Sequence, residues 1–107
     1  MDIADWRKKI DEIDAKLVEL LSQRAHAAHE IGRLKKQAGM PIYEPARERA
    51  VFDHVNQHNC GPLPARDLLR IYERIMDVMR QIQKEEIAPD LAEGDRGVTE
   101  LDNEVND

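Results

Sequence analysis

The chain has 107 residues, of which 36% are charged, 4% are aromatic and one, Cys60, is a cysteine. This length predicts one domain, and a single cysteine excludes an internal disulfide and the usual cysteine zinc sites. Because the sequence shows no secretion signal and no run of about 18 apolar residues, we expect a cytoplasmic protein with no membrane partner.

The first predicted element is a long helix over residues 3–37. Its apolar residues recur at alternating spacings of three and four, which is typical of the seam by which one helix packs against another. The seam positions are Ile3, Trp6, Ile10, Ile13, Leu17, Leu20, Arg24, Ala27, Ile31 and Leu34. This helix is about 50 Å long at 1.5 Å per residue, which exceeds any core that two shorter helices build. We therefore expect a second copy of the chain to cover the seam in an intertwined homodimer.

Arg24 is the one cation in this seam. A buried cation costs several kcal/mol unless an anion meets it. Arg24 therefore pairs with an acidic side chain, binds an anionic ligand, or only sets the pairing of helices. Lys35 follows eleven residues later, within about 20° of the same direction and about 16 Å along the helix, with the small Ala28 between them. Two cations facing such a space predict a pocket for a compact anion, whereas the alternative for Lys35 is a surface base.

Two shorter helices follow. A glycine and a proline end the first helix, and Pro45 suits the first position of a helix over residues 45–57. After a loop, a third helix is predicted over residues 64–87, because its apolar residues again recur at helical spacing. No alternating strand pattern occurs in the sequence. The predicted fold class is all-α, with a long, a short and a medium helix.

The last predicted segment is an acidic tail over residues 88–107. It holds seven acids and one base, and therefore carries the whole net charge of −6. We expect it to be disordered chain outside a helical domain of residues 1–87. That domain is neutral and has no basic footprint, so we expect no nucleic-acid partner.

Polar residues on the shorter helices allow few catalytic chemistries. Glu44, Arg47 and Glu48 surround the start of the second helix, where a local ion pair explains them equally well. His54 and His58 are four residues apart but lack the glutamate of a zinc-binding HExxH motif. The sequence has no Gly-rich phosphate loop and no nucleophile–base pair. We therefore expect no metal and no cofactor.

Together these residues resemble a known family, the all-helical class of chorismate mutases. The resemblance covers residues 5–87 and lies in Arg7, in LVELLSQR ending at Arg24, in EIGRLKK with Lys35, in GMPIYEPARER, and in Gln83. It implies an intertwined helical dimer with two sites, each built from both chains. It also implies the conversion of chorismate to prephenate, a concerted Claisen rearrangement that needs no nucleophile, proton transfer or cofactor.

The resemblance further implies a role for the cations and the glutamine. Arg24 binds one substrate carboxylate, and Arg7 of the partner subunit binds the other. Lys35 contacts a carboxylate and the ether oxygen whose bond breaks, and Gln83 donates its amide N–H to the same oxygen. Geometry supports the partner's role independently, because Arg7 and Arg24 lie about 25 Å apart along one helix.

The remaining site residues follow from the same resemblance. Glu48 accepts a hydrogen bond from the ring hydroxyl, Glu44 provides a backbone contact, and Arg47 adds positive potential. Met79 stands where family members often carry a small polar residue. We therefore expect the pocket wall to be more apolar at this position.

Two other functions stay open from the sequence. An isochorismate–pyruvate lyase on the same scaffold uses the same cations on a related dicarboxylate. A non-catalytic helical dimerisation or regulatory module, partnering another pathway enzyme, is the alternative from a different class. The reaction products separate the two enzymes, and loss of a reaction on mutating Arg24 separates both from the third.

Overall fold

The computed structural model describes residues 1–87 and contains three helices: α1 (Ile3–Ala38), α2 (Pro45–Gln57) and α3 (Ala65–Ile87). No strand occurs in this part of the chain. The predicted all-α class and the order of a long, a short and a medium helix are confirmed, with bounds that differ by at most one residue. The predicted acidic tail over residues 88–107 lies outside the described residues. None of the three helices is long and apolar enough to cross a membrane.

Local signals fix both ends of α1. At its start, the Asp2 side chain accepts from the Asp5 N–H at 2.9 Å, and the Asp5 side chain accepts from the Asp2 N–H at 3.1 Å. This reciprocal arrangement satisfies two backbone donors that the first turn leaves unpaired. At its end, Gly39 has a φ of 68° and donates to the carbonyls of the last turn. The left-handed conformation that glycine tolerates therefore stops the helix.

The packed core lies where α3 contacts both other helices. The buried apolar side chains are Ala28, Val51, Met76 and Met79. Gly32 of α1 faces α3 so closely that a Cβ there would lie 3.0 Å from the Cα of Gln83. The two helices thus cross almost backbone to backbone at this point, and the crossing brings the end of α1 beside Gln83.

Most of the α1 seam is exposed. The eight large apolar side chains of the seam, including Trp6 at 56% and Leu17 at 49%, all stand in solvent in the single chain. An exposed apolar surface of this kind normally marks a site that a partner covers. The expected second copy of the chain remains a prediction.

Candidate active site

A cavity of about 450 Å³ lies between the three helices. This volume suits a small organic ligand. Seven of the eight predicted site residues line it: Arg24, Lys35, Glu44, Arg47, Glu48, Met79 and Gln83. Arg7, the eighth, is exposed near the start of α1 and does not line this cavity. Its predicted place is in the site of a partner subunit.

Lys35 is the most tightly held cation of the cavity. The residue is only 6% exposed. Its Nζ lies 2.7 Å from the Ile42 carbonyl oxygen, 3.0 Å from Gln83 Oε1 and 2.9 Å from Glu44 Oε1. An ammonium group has three N–H donors, and these three acceptors match them. The contacts compensate for burial of the charge and fix its position.

The amide of Gln83 is oriented by the same contact. Because Oε1 accepts from Lys35, the Nε2 end of the amide is the end available to donate. The close crossing at Gly32 sets the position of the Gln83 backbone. Gln83 Nε2 therefore presents an N–H donor at one wall of the cavity, beside the Lys35 ammonium, whose three N–H groups are matched by Ile42, Glu44 and Gln83.

Arg24 has no carboxylate partner among the described residues. Its side chain is half-buried, and its Nη2 lies 3.8 Å from Met76 Sδ, which is a weak acceptor. An acidic partner is one interpretation of this seam arginine, and the described side chains of this chain supply none. An anionic ligand and a role in helix pairing are the other two.

Arg80 is a site residue that sequence reasoning missed. Its Nε donates to Glu48 Oε2 at 2.7 Å, and its Nη2 donates to Asp77 Oδ1 at 2.6 Å. Its guanidinium carbon also lies 5.3 Å from the centre of the Tyr43 ring. Arg80 precedes Gln83 by three positions, which places both on one face of a helix. That spacing is the signal that could have found it.

The charges of the cavity favour a ligand with two negative groups. Four cations line it, together with the carboxylates of Glu44 and Glu48. Lys35 pairs with Glu44, and Arg80 pairs with Glu48. Neither Arg24 nor Arg47 forms an ion pair with any described residue. Arginine binds carboxylates through two parallel N–H groups, so Arg24 can bind a ligand carboxylate and Arg47 adds positive charge beside it.

His54 lies in the last turn of α2 and His58 directly follows the helix, and neither lines the cavity. His58 Nδ1 lies 2.9 Å from the His54 carbonyl oxygen, so this ring serves the last turn of the helix. Among residues 1–85, whose side chains the structure describes, no group of three or more His, Cys, Asp or Glu is placed to hold a metal ion. The expected absence of a metal stays a prediction.

The three helices enclose a cavity lined by more cationic than carboxylate side chains. The chain is therefore an all-α protein whose cavity suits the binding of a small dianion. Comparison with known proteins gives its family: the chain belongs to the family Chorismate mutase type II, whose model matches residues 6–84. The chain is similar to a chorismate mutase from Methanocaldococcus jannaschii, with 31% identity over 87 residues that cover 78% of this chain and 85% of that protein. It is also similar to a bifunctional chorismate mutase/prephenate dehydratase from Aquifex aeolicus, with 34% identity over 78% of this chain.

A solved structure shows the same fold. The chorismate mutase (Form II) from Thermus thermophilus superimposes with a TM-score of 0.76 and 28% identity, covering 78% of this chain and 96% of that one. The bifunctional relative is much longer, since the match to this chain spans only 24% of it.

Proposed function

We propose that this chain is a cytoplasmic chorismate mutase that converts chorismate to prephenate for phenylalanine and tyrosine synthesis. Membership of the chorismate mutase family supports the reaction. The single observation that carries it is the cavity itself, where Arg24 and Arg47 have no carboxylate partner among the described residues and lie beside the Lys35–Gln83 pair. A dicarboxylate with an ether oxygen between its halves matches that arrangement.

The proposed mechanism needs only restraint of the substrate's conformation and electrostatic stabilisation of the charge that develops in the transition state. Chorismate has two carboxylates, and its ether C–O bond breaks as a C–C bond forms within the same molecule. A site that holds the two halves together removes the entropic part of the barrier. Donors placed at the ether oxygen stabilise the negative charge that develops there. Gln83 Nε2 is one donor, and Lys35 is the other when the ether oxygen replaces one of its three protein acceptors. Arg24 binds one carboxylate.

The other lining residues complete the proposed site. Glu48 accepts from the ring hydroxyl, Glu44 lies against Lys35 and contributes a backbone contact, and Arg47 adds positive potential. Met79 is buried, and it forms an apolar part of the wall. No step requires a metal or a cofactor.

We further propose that the active form is a homodimer in which Arg7 of the partner subunit binds the second carboxylate. The exposed apolar seam of α1 supports this arrangement, because a second copy would remove it from water. Since Arg7 and Arg24 lie about 25 Å apart on one helix, only a partner brings an Arg7 to the substrate.

The test is to offer purified protein chorismate and isochorismate in separate reactions and to identify the products. The proposal predicts rapid formation of prephenate from chorismate and no salicylate or pyruvate from isochorismate. Salicylate and pyruvate would instead assign the lyase reaction. A chain that accelerates neither reaction would be a structural or regulatory helical module.

A further inference from the structure

Glu48 and Arg80 form an ion pair at the wall of the cavity, and their elements are distant in sequence. Glu48 lies in the first turn of α2, and Arg80 lies near the end of α3. Arg80 Nε lies 2.7 Å from Glu48 Oε2. The Glu48 side chain is 15% exposed and the Arg80 side chain is 34% exposed, so water screens this contact only in part. Short charge-assisted hydrogen bonds of this kind are stronger than neutral ones.

Arg80 is itself held from two further sides. Its Nη2 donates to Asp77 one turn earlier on α3 at 2.6 Å, and its guanidinium carbon lies 5.3 Å from the ring centre of Tyr43. Tyr43 belongs to the segment that joins α1 to α2. Contacts with three elements fix the guanidinium plane. The direction of the Arg80 Nε–H bond is therefore fixed, and the Glu48 carboxylate that accepts from it is held in one orientation.

This arrangement has a consequence for the cavity. Because Glu48 Oε2 accepts from Arg80, Oε1 is the oxygen that a ligand hydroxyl can use. A carboxylate at the wall would also repel a dianion, and the Arg80 charge offsets that repulsion. Arg80 thus makes an acidic residue compatible with an anionic ligand.

We propose that Arg80 is a positioning residue that holds the Glu48 carboxylate with Oε1 toward the cavity, as the acceptor for the ring hydroxyl of a cyclohexadiene dicarboxylate. The inference rests on the proposed function. A hydroxyl held in this way is held equally in the bound substrate and in the transition state. Its loss therefore raises KM and leaves kcat nearly unchanged.

The test is a double-mutant cycle with chorismate: wild type, Arg80→Gln, Glu48→Gln and the variant with both changes. We expect each single variant to raise KM about tenfold, the scale of one hydrogen bond to a charged group. We expect Arg80→Gln to raise KM less in the Glu48→Gln background than in the wild type, because Arg80 acts mainly through Glu48. Losses that multiply would overturn the inference, since Arg80 would then act on the substrate without Glu48.

Controls separate the possible failures. Arg70→Gln removes the same charge from an exposed position of α3, where Arg70 faces Asp67 at 4.0 Å, and it should leave KM unchanged. Circular dichroism checks folding, and Arg80→Met, which keeps a long side chain without the charge, replaces the glutamine variant in the cycle if that variant unfolds. A wild-type chain that leaves chorismate unchanged contradicts the proposed function and this inference together. Active wild type with multiplying losses contradicts the inference alone.

Discussion

At the scale of single residues, the proposed function has Arg24 bind the ligand at the expense of folding stability. It occupies a slot of the α1 seam that otherwise holds apolar or small residues, and no described carboxylate pairs with it. A half-buried cation without an anion lowers the stability of the folded state. The site therefore keeps a charge that the core alone would not favour.

We predict that Arg24→Leu raises the melting temperature while it destroys activity. Relief of about 1 kcal/mol corresponds to a rise of about 4–8 °C in a domain of this size. Arg33→Leu is the matched control on the same helix. Arg33 is exposed, and its hydrogen bond to Glu30 lowers the pKa of that carboxyl. The control should change neither quantity appreciably, and a melting temperature that falls in Arg24→Leu would contradict the prediction.

Gln83 predicts how the rate depends on pH. An amide donates its N–H without titrating, so we expect the activity of the wild type to persist through neutral and mildly alkaline pH. In Gln83→Glu the donor exists only while the carboxyl is protonated. Its rate should therefore be highest in acid and fall about tenfold per pH unit once the carboxyl ionises. A wild-type rate that falls in the same way above pH 6 would show that a titrating group, and not the amide, is the donor.

At the scale of elements, the crossing of α1 and α3 sets the site. Gly32 permits the approach that brings Lys35 within 3.0 Å of Gln83. A methyl group at Gly32 would lie 3.0 Å from a backbone atom of α3, which cannot rotate away. The helices would have to separate by a few tenths of an ångström, and catalysis is sensitive to such displacements.

We predict that Gly32→Ala lowers kcat about tenfold with little change in stability, because the gain of about 1 kcal/mol in helix propensity offsets the strain. Gly39→Ala is the contrasting variant. Gly39 has a φ of 68°, which alanine adopts with strain, so Gly39→Ala should lose about 1 kcal/mol of stability. The added Cβ would have no atom within 4 Å, so the variant should keep its kcat. Steady-state kinetics and thermal melting separate the two. Equal kcat values for Gly32→Ala and wild type would show that the crossing tolerates the shift.

The sequence predicts features that depend on one helix, but it does not predict contacts that depend on how two helices pack. Helix class and bounds follow from local signals: the Asp2 cap, the Gly39 stop and the apolar spacing. The shared face of Arg24 and Lys35 follows from helix geometry. The Glu48–Arg80 pair does not, because its two residues are 32 positions apart in the chain. Only the packing of α2 against α3 brings them together, and a surface pair on either helix would have the same local sequence.

At the scale of the whole molecule, the exposed seam of α1 and the remote Arg7 point to one assembly. A single chain leaves Trp6 and its apolar neighbours in water. It also leaves the cavity without Arg7, the residue that we propose to bind the second carboxylate of the substrate. A twofold dimer resolves both, because the same contact is made twice and each Arg7 enters the other subunit's site.

Mixed dimers test this assembly. Arg7→Ala and Arg24→Ala homodimers should each be nearly inactive, because every site lacks one cation. When they are unfolded together and refolded, half of the dimers are mixed and each mixed dimer has one intact site. About a quarter of the wild-type activity should return. Arg24→Ala with Lys35→Ala is the control, because both residues belong to the same subunit's site and no intact site forms. Equal recovery in the two mixtures would argue against a site shared between subunits.

The central claim is that this cavity rearranges chorismate by holding its negative groups with fixed cations. The most direct measurement is kcat/KM for chorismate in the wild type, Arg24→Ala and Arg33→Ala, with prephenate identified as the product. We expect the wild type and Arg33→Ala to agree, and Arg24→Ala to lose at least about a hundredfold, the scale for one key electrostatic contact. Undiminished activity in Arg24→Ala, or no prephenate from the wild type, would contradict the account.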